Sequence, residues 1–468
     1  MIRRTLGQIQ SMITGSELCG NAADDTVITG VSINTRTLKP GNLYIPIAGE
    51  RFNGHSFAEL AIEAGAAALL WNRYEPNPPA GRIPVLLVDD TLQAIQALSR
   101  AYRLEINPVV IGITGSNGKT STKDILAASL SAKYRTHKTF GNLNNHLGVP
   151  LTLLEMEEGT EIAVIEMGMS GLGEISLLSS LALPDISIIT NIGDAHLGDL
   201  GSRELIMQAK LEIVEGLRQG GLLIMDGDNE QLRTAAQAKA QAGRFSIRTF
   251  GLSDANDYYP QTSATGMNGS SFTYISPDSA GIRQQVKLPL IGQHQILNAL
   301  AAIAAAEYAG LRPDQLADGL ENVQITGMRN EVMQAGSRII INDAYKSNPA
   351  SASASLQMLM ALEERRQKVA VLGDMQDLGP FAQQLHRQVG ACVQKERLDY
   401  LFTLGQNSVY TAQEAARIMG SDRVYSAQDK QELGKQLRTI LEPDAIILVK
   451  GSRAMQLEEV VELLVKHQ

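Results

Sequence analysis

Cysteine is scarce: the 468 residues hold only Cys19 and Cys392, far apart and without metal-type spacing, which excludes a disulfide framework or a zinc site. Positive charge is also short. Against 50 Asp and Glu stand 41 Lys and Arg, and a net charge of −9 argues against broad binding to nucleic acid or anionic membrane, while leaving room for a local basic pocket. No apolar run approaches the ~20 residues needed to span a bilayer. The first residues, MIRRTLGQIQSMI, carry basic side chains but lack the long apolar core of a secretory signal. The expectation is a cytoplasmic protein, monomeric, with no nucleic-acid partner and no membrane insertion. The rest is ordinary for a globular chain: 44% hydrophobic, 19% charged, and length for about three domains of ~150 residues.

Against that background one stretch stands out. Residues 109–122 read VVIGITGSNGKTST, a β-branched run that breaks into Gly115, Ser116, Asn117 and Gly118 and resumes as a helical pattern after Lys119, Thr120 and Ser121. Strand, glycine loop, Lys-Thr-Ser and helix make a phosphate cradle. Glycines let backbone N–H groups approach phosphate oxygens, the helix N-terminus adds partial positive charge, Lys119 neutralises the outer phosphates, and Thr120 is placed for Mg²⁺. Strict P-loop spacing would put glycine at position 113, where this chain has Ile113, so the match is to a variant.

Other candidates follow from position. The run at 161–166, EIAVIE, reads as a buried strand with Glu166 at its carboxyl end, the edge where doubly wound sheets bind ligands and where an acid can hold Mg²⁺. A second strand at 185–190 delivers Asn191, Gly193, Asp194 and His196, then a helix over 202–215 with Ser202 as N-cap and Lys210 on its length. By spacing alone Lys210 is a surface lysine and His196 a loop histidine. Near the amino terminus, Ser32, Asn34, Thr35 and Arg36 precede the turn Lys39-Pro40-Gly41; Arg36 and Arg51 are suited to a phosphate or carboxylate. Residues 250–288 read as an antiparallel insertion, and 289–306 as an alanine-rich helix starting after Gly292 and carrying Asn298. The segment MGMSGLGE at 167–174 lacks the glycine spacing of a dinucleotide site. Beyond 326, strands at 338–341, 369–372, 401–404 and 446–449 alternate with helical patterns, and Gly373, Gly405 and Gly451 closely follow three of them.

The spelling TGSNGKTST resembles the nucleotide loop of the Mur ligase and folylpolyglutamate synthetase family, ATP-dependent enzymes that add an amino acid or peptide to a carboxylate. The Ser32–Arg36 segment, followed by P-G-x-L-Y and later G-H, resembles the uridine-nucleotide domain of the Mur ligases, with Asn34 where aspartate is commoner. The implied fold is α/β with three domains: a small uridine-nucleotide domain (1–106), a central P-loop parallel-sheet domain (107–325) and a Rossmann-like third domain (326–468). The resemblance further implies His196 as a Mg²⁺ ligand, Lys210 carbamylated, and Asn298 against ATP. In the third domain it implies Arg329 reaching the γ-phosphate, Asp343 on the ribose and Tyr345 on the adenine. No role attaches to Lys346, where the family more often has asparagine.

Within the family, VLGDMQDLG (371–379) and VKGSRAM (449–455) resemble the members that add D-alanyl-D-alanine to UDP-N-acetylmuramoyl-tripeptide, and no D-N-P-R segment is present. The uridine-type first domain argues against a folate acceptor. A guanine-nucleotide switch would carry N-K-x-D, which is missing, and a silent nucleotide-binding module would not need Glu166, His196, Lys210, Asn298, Arg329 and Asp343 together. The implied cofactors are ATP and Mg²⁺. Because ATP contacts are expected on both sides of residues 325–328, closure of the third domain is expected on ligand binding.

Overall fold

The run Val109–Thr114 forms an inner strand of a six-stranded, wholly parallel sheet whose order is Phe245–Phe250, Gly221–Asp226, Ile186–Ile189, Val109–Thr114, Ile162–Glu166 and Thr136–Lys138. The computed structural model that establishes this describes residues 1–19, 24–240, 243–277 and 284–466. Alternate side chains of each strand enter opposite layers. Ile111 and Ile113 pack in one apolar cluster with the helices Lys119–Leu130 and Gln293–Tyr308. Val110, Ala163 and Ile165 pack in another that includes Glu174–Ala182 and the long amino-terminal helix Thr91–Ile106. Burial on both faces explains why these strands read as continuous Val/Ile runs rather than as alternating patterns.

Two outer strands, Gly221–Asp226 and Phe245–Phe250, extend this sheet beyond what the sequence pattern suggests. Phe250 therefore ends a parallel strand instead of opening the antiparallel insertion. The insertion itself is a three-stranded antiparallel sheet, Tyr259–Gly266, Gly269–Ile275 and Gln284–Leu288; its expected stretch 278–283 lies outside the described residues. Between the edge strand Thr136–Lys138 and Glu166's strand, residues 139–147 form a loop that leads directly into the helix Gly148–Leu154.

The amino-terminal unit has a five-stranded sheet, Glu17–Cys19, Val85–Val88, Ala68–Asn72, Leu43–Tyr44 and Val31–Ser32, parallel apart from the first pairing. Helix Thr91–Ile106 is capped by Asp90, whose carboxylate accepts from Leu92 N and Gln93 N, and it stops at Asn107 in the left-handed region (φ 51°). At its far end the fully buried Arg103 donates to the carbonyls of Ala182 (2.7 Å) and Leu183 (2.9 Å), tying the first unit to the second.

The third sheet runs Glu331–Ala335, Arg338–Asp343, Ile446–Lys450, Lys368–Gly373, Tyr400–Leu404 and Val424–Ala427, with only the first pairing antiparallel. The four expected strands are all there, each longer by one or two residues, and two edge strands join them. Asp343 and Lys450 end neighbouring strands in register, so a carboxylate and an ammonium meet at the sheet's carboxyl edge. Residues 467 and 468, the last of the expected third domain, lie outside the described residues.

Candidate active site

The carboxyl edges of the second and third sheets face each other across a cleft of about 590 Å³. Its floor is the phosphate loop. Gly115 has φ 147°, and a side-chain carbon there would meet Thr190 Oγ1 at 1.8 Å; Gly118 has φ 80°, with Asn298 Oδ1 at 2.2 Å. These two positions, not 113, are where only glycine fits, and Ile113 is simply buried sheet core. The loop is braced from below. Asn191 takes Ser116 N on its carbonyl (3.0 Å) and Asn117 N on its amide oxygen (3.0 Å), while Thr190 and Asn191 side chains donate to Asn117 O. Beyond them the helix Lys119–Leu130 begins with no side-chain cap, so its first amides point into the cleft as an anion site.

Lys119 bends back onto Gly115 O (2.6 Å). Its pKa is lowered to about 8, first by burial and then by the neighbouring Lys346. Thr120 Oγ1 donates to Glu166 Oε2 (2.9 Å), and Asn144 Nδ2 donates to Glu166 Oε1 (2.8 Å). Glu166 is only 2% exposed, and its own amide is held by Thr139 Oγ1. The strand-end acid is therefore locked in one orientation beside the phosphate-loop threonine.

His196 sits in the left-handed region (φ 67°), Nδ1 toward Asp199 Oδ2 (3.2 Å) and Nε2 toward Lys346 Nζ (3.1 Å). The ammonium can only donate, so the lone pair at Nε2 faces the cleft and Asp199 takes the Nδ1 proton. Burial, Lys346, Lys119 and Lys210 together push the imidazole pKa down to about 3. Lys210 is 1% exposed and lies just behind the cleft wall rather than on it. Burial first, then Lys119 and Lys346, lowers its pKa well below that of an ordinary lysine, and among the described residues no carboxylate pairs with it. The spacing-based picture of a surface lysine is thus corrected: the helix Arg203–Leu211 turns this side chain inward. The same helix has Ser202 as its N-cap, donated to by Leu205 N, and Arg203 forks onto Asp194 (2.6 and 2.8 Å) to hold the preceding loop.

From the third unit come Arg329, its guanidinium 3.8 Å from the centroid of Tyr345, and Asp343, which accepts from Lys450 Nζ (2.6 Å) and Ser355 Oγ (2.8 Å). Asn298 on the middle unit's helix donates to Gln295 Oε1 (3.0 Å) beside Gly118. Ser116, Asn117, Gly118, Lys119, Thr120, Ser121, Glu166, His196, Asn298, Arg329, Asp343 and Tyr345 all line this one cleft, with Gly115 beneath them against Thr190. Ser32, Asn34, Thr35 and Arg36 do not. They form a local turn in which Asn34 Oδ1 accepts Arg36 N (3.0 Å) and Ser32 Oγ bridges to Asn34. The amide oxygen serves that turn as an aspartate oxygen would, and Asn34 and Arg36 stay exposed.

Several side chains of the cleft escape sequence reasoning. Lys346 is named there without a role and Lys450 belongs to a segment quoted for another reason; behind the lining, Asn348 donates to Asn117 Oδ1 (2.7 Å), stitching the third unit to the phosphate loop. The only signal for Lys450 is its place at a strand end before glycine. His294, bonded to Asn330 Nδ2 (2.8 Å), stands between Gly292 and Asn298 in a G-x-H-x-x-x-N run whose resemblance to the family's nucleotide-contacting helix is its signal.

Among the described residues no group of three or more His, Cys, Asp and Glu side chains is gathered for a metal. Thr120, Glu166 and His196 nevertheless bring two hard oxygens and one imidazole nitrogen, which here accepts from the Lys346 ammonium, to the lining of the same cleft. Mg²⁺ takes few protein ligands when phosphates and water supply the rest, so this donor set fits it. Likewise, no described helix is long and apolar enough to cross a membrane.

Comparison with known proteins points one way. A model of the Mur ligase middle domain matches residues 113–306, the Mur ligase glutamate ligase domain matches 328–453, and the Mur ligase family catalytic domain matches 27–103. The UDP-N-acetylmuramoyl-tripeptide–D-alanyl-D-alanine ligase of Bacillus subtilis (strain 168) is 45% identical over 467 residues, covering 100% of this chain and 99% of that one. A crystal structure of MurF from Acinetobacter baumannii matches with TM-score 0.89 at 29% identity, over 100% of this chain and 99% of that one. MurF ligase from Thermotoga maritima in complex with ADP matches with TM-score 0.82 at 27% identity, over 93% and 97%.

Proposed function

The chain belongs to the Mur ligase family, and from that premise we propose that it joins D-alanyl-D-alanine to UDP-N-acetylmuramoyl-tripeptide with ATP, making the pentapeptide precursor of peptidoglycan. The observation that carries this reading is the full-length match to a ligase of that specificity, taken with a cleft that sets a phosphate loop opposite cations of a second sheet. A carboxylate is a poor electrophile. Transfer of the γ-phosphoryl group to the tripeptide's terminal carboxylate supplies a leaving group; the dipeptide amine then attacks the carbonyl carbon, expels phosphate and gives up one proton, leaving amide, ADP and phosphate.

The division of labour we propose follows the three units. Residues 1–106 hold the uridine nucleotide through Ser32, Asn34, Thr35 and Arg36. Residues 107–325 hold ATP through the loop Gly115–Ser121 and Asn298. Residues 326–468 bring Arg329 to the γ-phosphate, Asp343 and Tyr345 to the nucleoside, and the dipeptide to the acyl phosphate. Lys119 and Arg329 offset the charge that otherwise keeps carboxylate and phosphate apart. Thr120, Glu166, His196 and Lys210 would hold Mg²⁺, which when bound screens the phosphates and polarises the transferring group. Lys210 serves this as a carbamate: its buried amine, poor at keeping a proton, attacks CO₂, loses a proton and gains an anionic oxygen pair of the kind Mg²⁺ prefers. The enzyme acts as a monomer in the cytoplasm, since one chain supplies every residue named and ATP is at hand there.

The deciding assay is ADP release with UDP-N-acetylmuramoyl-tripeptide, with and without D-alanyl-D-alanine. Sustained release is expected only when both are present, and equal turnover without the acceptor overturns the ligase reading. For the carbamate, Lys210→Ala is expected to lose activity and to recover part of it with added acetate; full activity without additive refutes that role.

A further inference from the structure

Asp124 lies on the phosphate-loop helix, five residues past Lys119 and turned away from the cleft, and is 1% exposed. Its Oδ2 takes two hydrogen bonds from one residue, Thr326 N (2.9 Å) and Thr326 Oγ1 (2.8 Å). Its Oδ1 takes Lys138 Nζ at 2.7 Å, with Lys123 Nζ 3.5 Å away. Lys123 is itself fully buried and has no hydrogen-bond partner among the described residues, 3.9 Å from the same Glu166 oxygen that Thr120 contacts. Burial alone would raise the Asp124 pKa; Lys123, Lys138 and the Thr326 amide outweigh it and keep the carboxyl below its ordinary range.

Thr326 opens the five-residue crossing into the third unit. Within that crossing Met328 (φ 59°) and Asn330 (φ 50°) are both left-handed, a conformation that costs a non-glycine residue about 1 kcal/mol or more and persists only where the surroundings impose it. They are imposed from both ends. Asn330 is held by His294, Met328 O accepts Tyr345 N (3.2 Å), and Thr326 is pinned on Asp124. Between these fixed points stands Arg329, laid over Tyr345.

We propose that Asp124 is a positioning residue: by pinning Thr326 to the phosphate-loop helix it sets where Arg329 meets the terminal phosphate of the nucleotide. The pin rests on the reading of Arg329 as a phosphate contact. It ties the arginine's anchor and the phosphate loop to one rigid helix, so the third unit turns about Thr326 without losing register with the loop.

The test uses the full chain and two probes, ADP and a non-hydrolysable ATP analogue, with affinities measured by calorimetry. Thr326→Val keeps shape and backbone amide but removes one of the two bonds, so it folds even where Asp124→Asn fails. Expected for Thr326→Val are a three- to tenfold weaker analogue affinity with ADP affinity unchanged, and recovery in Thr326→Ser. In an Arg329→Ala background Thr326→Val is expected to change analogue binding less than twofold, because the pin acts through that arginine. Equal loss for ADP and analogue, or losses that multiply in the double variant, overturn the proposal. The readout involves no acceptor, so it stands or falls separately from the identity of the ligated substrates.

Discussion

The middle unit meets its two neighbours through junctions that differ most where the cleft opens. Toward the amino terminus the contact is apolar and closed: Leu98, Tyr102, Leu153, Leu154, Ile175 and Leu178 share one buried cluster. The chain's first residues join it, Met1's amino group on Met156 O (2.9 Å), Ile2 N on Leu154 O (2.7 Å), with Tyr102 Oη also on Met156 O and Arg103 behind. Toward the carboxyl terminus the facing surfaces around the cleft are polar, joined by single bonds such as Asn348–Asn117, Lys346–His196, Asn330–His294 and Gly198 N to Asp377 O (3.0 Å). The same buried cluster continues into the third unit through Leu356, Leu359, Leu372 and Leu378, so what sets the second junction apart is the polar and charged lining of its cleft. A junction that buries apolar area is costly to open, while one that exchanges hydrogen bonds with water is nearly neutral. Closure of the third unit on ligand, expected because ATP contacts fall on both sides of residues 325–328, would exchange hydrogen bonds of this kind across the cleft walls.

That contrast can be broken from either side. The largest effect is expected at the cleft: Lys119→Ala should lower ADP release about a thousandfold or more, by the measure of other phosphoryl-transfer electrostatics, with the melting temperature unchanged or slightly higher since a half-buried ammonium beside Lys346 is removed. Near-normal turnover in the folded variant would take the phosphate loop out of the mechanism. At the closed junction the pattern should reverse. Arg103→Met leaves the carbonyls of Ala182 and Leu183 without donors and should cost about 3 kcal/mol in denaturant unfolding, while ADP release per folded molecule stays within twofold.

The smallest effect sharpens the comparison with acid. His294, at the polar junction, has its pKa lowered to about 4, chiefly by burial. Because the folded value lies below the ordinary 6.5, the opened form binds the extra proton between the two. The bond to Asn330 therefore stabilises fully above pH 6.5 and is lost as pH falls through about 4. Hydrogen exchange at pH 7 and pH 4.5 should show residues 326–348 loosening first, with 98–106 and 151–156 still protected. Simultaneous loss at both junctions would mean they do not differ in kind.

Much of this was legible before any coordinates. The phosphate loop announces itself because its chemistry is local: glycines, lysine and threonine must be adjacent in the chain to build one cradle. Strands buried on both faces read as unbroken apolar runs, which is why 109–113, 161–166 and 446–449 are visible, whereas the edge strands Val424–Ala427 and Glu331–Ala335, half exposed and mixed in composition, are not.

What tertiary structure alone decided is where distant charges meet. Nothing in the spacing of Lys210 distinguishes a solvated lysine from one sealed beside two other ammonium groups; its helix packs with one face inward, and the sheet topology chooses that face. Asp124 and Thr326, or Asp343 and Lys450, are 202 and 107 residues apart; packing of the phosphate-loop helix against the crossing into the third unit joins the first pair, and the parallel register of two strands in the third sheet joins the second. The sequence by itself determined the local chemistry, since a phosphate cradle needs only neighbours. The electrostatics of the cleft depended on the fold, because burial and the summed field of remote groups exist only once the chain has closed on itself.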